Sequence, residues 1–171
     1  MSLHSARQVL FLDYDNCIHR SDVYRTTNGL VHGDSRGALF EYAPLLEQLL
    51  APFPQVQIVL STSWVREVGF DRARDAIPQA GLRARVVGST YDPRILTASN
   101  FLALQRGTQI LQYVKRQRLY MWLAIDDRRD GFESCTDRLI HCQPGVGLGD
   151  RDVQALAARR LQGMFNAKGL L

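Results

Sequence analysis

No apolar run in the 171-residue sequence approaches the ~20 residues that a membrane-spanning helix needs, which argues against a membrane protein. The N-terminal MSLHSARQ has no apolar core ahead of a small-residue cleavage site, so it does not read as a secretory signal. Cysteine is sparse. Cys17, Cys135 and Cys142 are odd in number and lack metal-ligand spacing, which points to reduced thiols and a cytoplasmic setting. His4, His19, His32 and His141 form no metal-binding pattern. Internal repeats, low-complexity segments and linkers are also missing. What is present suits one globular domain: 46% hydrophobic and 22% charged residues, in a chain that buries about 70% of its unfolded surface. The net charge is +4 and arginine dominates it, in RARDAIPQAGLRAR, VKRQR and RRLQ. That balance is compatible with a polyanionic partner such as a nucleic acid. It reads more simply as the surface of an ordinary basic protein, because acids interleave the arginines on helix faces and loops.

Apolar periodicity supplies an outline. Val9–Leu12 is a continuous apolar run, as in a strand covered on both faces. Residues 18–40 are polar, with Gly29, Gly33 and Gly37, and read as a loop or small hairpin. Leu39–Leu50 has helical spacing and ends before Pro52 and Pro54. Val56–Leu60 and Ala84–Val87 read as strands, with a helix over Arg66–Ala80 between them, broken at Gly69 and capped by Gly81. Residues 88–104 give no clear pattern. A helix over Thr108–Gln117, strands at Tyr120–Ile125 and Arg138–His141, and a helix capped by Asp150 and running to about Gly163 complete the chain. This alternation predicts an α/β, three-layer Rossmann-like fold: a mainly parallel sheet, helices on both faces and right-handed crossovers. It is read as a single domain over residues 1–171, with a core of about 8–163, a short flap at about 18–40 and no large cap.

Polar residues come after the buried runs in a telling order. Asp13 and Asp15 come after the first, Ser61, Thr62 and Ser63 after the second, and Asp126 and Asp127 after YMWLAI. In a parallel sheet these groups share the carboxyl edge, where ligands bind. Carboxylates gathered there repel one another, and a hard divalent cation with oxygen ligands relieves them, magnesium being the usual choice beside phosphate. Taken alone, Asp13 and Asp15 would be a solvated turn, Thr62 a satisfied strand-end hydroxyl, and Asp126–Asp127 a turn or helix-cap pair.

Together, FLDYDN, LSTSW, RGTQIL and LAIDD resemble the motifs of the haloacid dehalogenase (HAD) superfamily, of the capless phosphatase type, over roughly residues 8–160. They most resemble the HAD domain of bacterial RNA-repair ("Swiss Army Knife") proteins and their stand-alone relatives. The resemblance implies roles. Asp13 would be the nucleophile that forms an aspartyl-phosphate, and Asp15 the acid and then the base. Thr62, with Ser61 as its neighbour, would bind the phosphoryl oxygens. Mg²⁺ would be held by Asp13, the Asp15 backbone carbonyl and Asp126 or Asp127. Asn16 stands where the superfamily often has Gly, and Asn tolerates the left-handed backbone such a turn needs. The superfamily's phosphate-steadying Lys has two candidates here: Arg106, which with Gly107 resembles the family's Lys-Gly helix start, and Lys115 near the other end of that helix.

Other residues read more plainly. Cys17 is a small packed residue, Asp130 a loop residue, and Trp64 and Trp122 core or near-core, with Trp64 also placed to border a substrate. Neither gap between motifs has room for a large lid, so the site is expected to be open. By family analogy an open site favours large phosphorylated substrates, nucleic-acid ends among them, with contacts expected at Arg20, Arg25 and His32. Three functions fit: a Mg²⁺-dependent phosphomonoester hydrolase acting on such a substrate, an inactive relative that binds a phosphorylated partner, and a small-molecule nucleotide phosphatase.

Overall fold

The computed structural model describes residues 6–34 and 36–166. β1 (Gln8–Leu12) is the central strand, paired in parallel with β4 (Val56–Leu60) on one side and β6 (Met121–Asp126) on the other. β5 (Val86–Ser89) extends the sheet beyond β4 and β7 (Leu139–His141) beyond β6, all parallel, in the order β5-β4-β1-β6-β7. The unbroken apolar run of β1 has its expected cause: both faces are covered. Leu10 and Leu12 enter one core with Leu46 and Leu50 of α1 (Ala43–Leu50) and Val153, Ala157 and Leu161 of α7 (Arg151–Phe165). Val9 and Phe11 enter the other, with Ile110 and Tyr113 of α6 (Arg106–Gln117). There Phe11 meets Tyr113 and Trp122 edge-on, at 5.5 and 5.8 Å between ring centroids.

The register aligns the strand ends. Leu12 lies opposite both Leu60 and Ile125, and the ladder continues one step: Asp13 N donates to Ile125 O (3.0 Å) and Ser61 N to Leu12 O (2.8 Å). The residues after all three strands therefore emerge side by side.

Several local expectations change. The helix foreseen over 66–80 is broken at Gly69 (φ +90°) as expected, but its pieces, α2 (Trp64–Val68) and α3 (Phe70–Asp75), start earlier and end before Ala80. Gly81 caps nothing. It lies within α4 (Ala80–Arg85), where a Cβ would come within 2.6 Å of Glu47 Oε1. α4 runs on to Arg85, whose guanidinium donates to the carbonyls of Leu50, Phe53 and Val56, so β5 starts later than its apolar run suggested. The 88–104 segment, patternless in sequence, holds α5 (Ala98–Leu102), capped by Thr97. α6 starts at Arg106 rather than Thr108, and β6 includes Asp126. The flap is a hairpin of β2 (Val23–Thr26) and β3 (Gly29–His32), with no larger cap among the described residues. Among the described residues no helix is long and apolar enough to cross a membrane.

Candidate active site

The first turn after β1 is built around its own backbone. Cys17 N and Ile18 N both return to Tyr14 O, at 3.1 and 3.0 Å, and Asn16 takes φ +58° to close the loop. The Asn16 side chain adds what glycine could not. Its Nδ2 donates to Asp22 (2.8 Å) and Asp127 (3.3 Å), and its Oδ1 accepts from Gly145 N (3.0 Å). Asp13 is buried, and its Oδ1 accepts from Tyr14 N at 2.8 Å. Burial raises the Asp13 carboxyl well above its ordinary range; Arg106 pulls it back in part, and Asp126 and Asp127 push it further up.

Asp15 is held by groups that the sequence did not connect to it. Its Oδ1 receives His19 Nε2 (2.9 Å) and the indole Nε1 of Trp64 (3.0 Å), and its Oδ2 receives Val23 N at the root of the flap (3.3 Å). His19 is fully buried and its Nδ1 accepts from Phe40 N, so the ring proton sits on Nε2, facing the carboxylate. The one sequence signal was the spacing of four between Asp15 and His19. Trp64 lies 49 residues away, and only the alignment of β4 with β1 brings it in.

Arg106 is the buried cation of the site, at the first turn of α6. Its Nη1 donates to Ser61 O, its Nη2 reaches Asp13 Oδ2 (3.4 Å), and its Nε lies 3.2 Å from Asp126 Oδ2, as an ionic contact rather than an aligned hydrogen bond. Burial works against its charge, but Asp13, Asp126 and Asp127 outweigh that and hold it above its ordinary value. Asp126 is wholly buried, and its Oδ1 accepts from Arg128 N (3.0 Å). Burial pushes its carboxyl up to about 7 despite Arg106. Asp130, read as a loop residue, anchors the start of α6: Arg106 N donates to its Oδ2 (2.9 Å) and Gly107 N to its carbonyl (2.8 Å). Gly107 is needed there, since a Cβ would come within 2.1 Å of Gly131 O. Lys115 sits in the last turn, roughly 13 Å further along the axis at 1.5 Å per residue. Ser61 and Thr62 are buried at the same edge, and Thr62 Oγ1 accepts from Trp64 N at 3.4 Å.

The donor set suits a hard cation at one place. Asp13, Cys17 and Asp127 offer atoms that all lie within 4.8 Å of one another. Cys17 is fully buried, which raises its thiol well above the usual range and keeps it protonated, a poor partner for such an ion. The oxygens of Asp13 and Asp127 are the better match. Asp127 is itself held above its ordinary value by burial. Three crowded carboxyls face the buried guanidinium of Arg106, an imbalance that a divalent cation would relieve. Asp126 is turned to Arg106, and the Asp15 carboxylate to His19 and Trp64. In the flap, Arg20 is paired with Glu41 through two contacts of 2.8 Å, while the side chains of Arg25 and His32 lie outside the described residues.

Comparison with curated proteins gives no match. The model of a family described as the HAD domain in Swiss Army Knife RNA repair proteins matches residues 9–153, from β1 into the start of α7, and so spans every group described above; the chain belongs to that family.

Proposed function

We propose that the protein is a Mg²⁺-dependent phosphomonoester hydrolase working through an aspartyl-phosphate on Asp13. The observation that carries this reading is the meeting of Asp13, Asp15, Thr62 and Arg106 at one sheet edge, with Asp127 beside Asp13. An Asp13 oxygen attacks phosphorus as the ester P–O bond breaks, and Asp15 gives its proton to the departing oxygen. Water then attacks the phosphoryl group, Asp15 takes its proton, and Asp13 is restored as phosphate leaves. Arg106, Ser61 and Thr62 line the place where phosphoryl oxygens would sit, and His19 and Trp64 fix the direction of Asp15. Asp13 and Asp127, with the Asp15 carbonyl, would hold Mg²⁺, which would supply positive charge to offset the repulsion of nucleophile and phosphate. A short hairpin in place of a larger cap among the described residues favours a large or nucleic-acid-type substrate, in a cytoplasmic setting.

The test is hydrolysis of p-nitrophenyl phosphate with Mg²⁺, with chelator, and by Asp13→Asn. Metal-dependent turnover that the variant lacks is the expected result. A wild type that neither turns over nor captures beryllofluoride with Mg²⁺ would leave the second reading, a domain that binds a phosphorylated partner. One observation favours it: the Arg106 guanidinium is already engaged by Asp13, Asp126 and Ser61.

A further inference from the structure

A cavity of about 240 Å³ opens beside Thr62 and Arg106, and its wall includes Arg66, Phe101, Gln109 and Arg128. Among the described residues no carboxylate lines it. Arg66 gives only its Nη2 to Glu67, and Arg128 gives its Nε and Nη2 to Asp130. Both guanidinium groups therefore keep N–H donors without a partner among the described residues. Each arginine is paired with one acid, and its remaining donors suit an anion with several oxygens.

Gln109 forms part of the cavity wall. It is 5% exposed, and its Nε2 donates to the carbonyls of Phe101 (3.0 Å) and Leu104 (3.3 Å), which fixes the orientation of the amide. Its Oε1 then stands as a buried acceptor with no partner among the described residues. Leaving such an acceptor unmet costs about 1–3 kcal/mol, and the oxygen is sealed from the cavity. Phe101 and the exposed Leu102 supply an apolar flank.

We propose that this cavity binds the leaving group of the substrate and that the leaving group carries a second phosphate, held by Arg66 and Arg128. This rests on the phosphatase reading above. The second phosphate is either that of a small bisphosphate or the next phosphodiester of an oligonucleotide.

The experiment compares kcat/KM for p-nitrophenyl phosphate, adenosine 3′- and 5′-monophosphates, adenosine 3′,5′-bisphosphate and a terminally phosphorylated tetranucleotide. A substrate with a second phosphate is expected to exceed the better monophosphate at least tenfold, chiefly through KM. The Arg66→Gln/Arg128→Gln variant is expected to lose at least tenfold more on that substrate than on p-nitrophenyl phosphate. A preference for the bisphosphate identifies the small-molecule source, and a preference for the tetranucleotide the chain. No preference in the wild type, or a preference that the variant keeps, overturns the proposal, as does an equal loss on every substrate. Arg66→Gln alone repeats the test if the double variant fails to fold, since the only ion pair of Arg66 among the described residues is with Glu67. If no phosphomonoester is hydrolysed, the phosphatase reading fails separately. Calorimetric titration with the bisphosphate then decides the cavity: binding weakened in the variant supports it, and equal or absent binding overturns it.

Discussion

Replacing Arg106 by Met removes the buried cation of the acidic site while keeping much of the side-chain volume. Arg106 has a side-chain exposure of 10% and touches Asp13, at 6%, and Asp126, at 0%. Removing one partner of a buried ion pair costs about 3–5 kcal/mol, because the remaining charge is buried without compensation. For a chain of this size each kcal/mol shifts Tm by about 2–4 °C, so the loss at pH 8 should be roughly 6–20 °C. The carboxyls left behind have an escape, which is to take up protons. Asp126 is already raised from 3.8 to about 7 with the arginine present. Between those values the native state holds a proton that the unfolded chain has released. Its contribution to stability is complete below pH 3.8 and is lost as pH rises through about 7. Without Arg106 the folded values of Asp13 and Asp126 climb further, and the window extends upward. The Arg106→Met deficit should therefore shrink on acidification, by up to about 1.4 kcal/mol per pH unit for each proton gained. Thermal unfolding followed by circular dichroism in chelator, at pH 8 and pH 5.5, measures both quantities. A deficit below about 1 kcal/mol at pH 8, or one that grows at pH 5.5, would refute the reasoning.

Two further perturbations separate roles that sit close together. Mg²⁺ at a hundredfold excess over its Kd should stabilise the wild type by about 2.7 kcal/mol, or roughly 5–11 °C. Asp127→Asn should abolish that shift and Asp126→Asn should keep most of it; the reverse pattern in scanning fluorimetry would make Asp126 the metal ligand. Gly107→Ala should cost about 3 kcal/mol from overpacking against the Gly131 carbonyl and displace Arg106 with the helix start. A denaturant midpoint equal to that of the wild type would show that the close approach is not required.

The sequence by itself determined the parallel sheet and its acidic edge. VLFL, VQIVL and MWLAI are runs with little polar interruption, and strands covered on both faces read that way. Parallel strands also send their carboxyl ends to one side, so Asp13, Ser61 and Asp126 could be brought together on paper. The tertiary structure alone decided how each group is used. Asp126 and Asp127 are neighbours in sequence, yet one is sealed against Arg106 and the other lies beside Asp13, because consecutive residues leave a strand in opposite directions. Trp64 reaches Asp15 and Asp130 holds the start of α6 only through contacts between elements distant in the chain. Gly81 lies inside α4 rather than at its end, beside the Glu47 side chain of a different helix, and no local pattern records that approach.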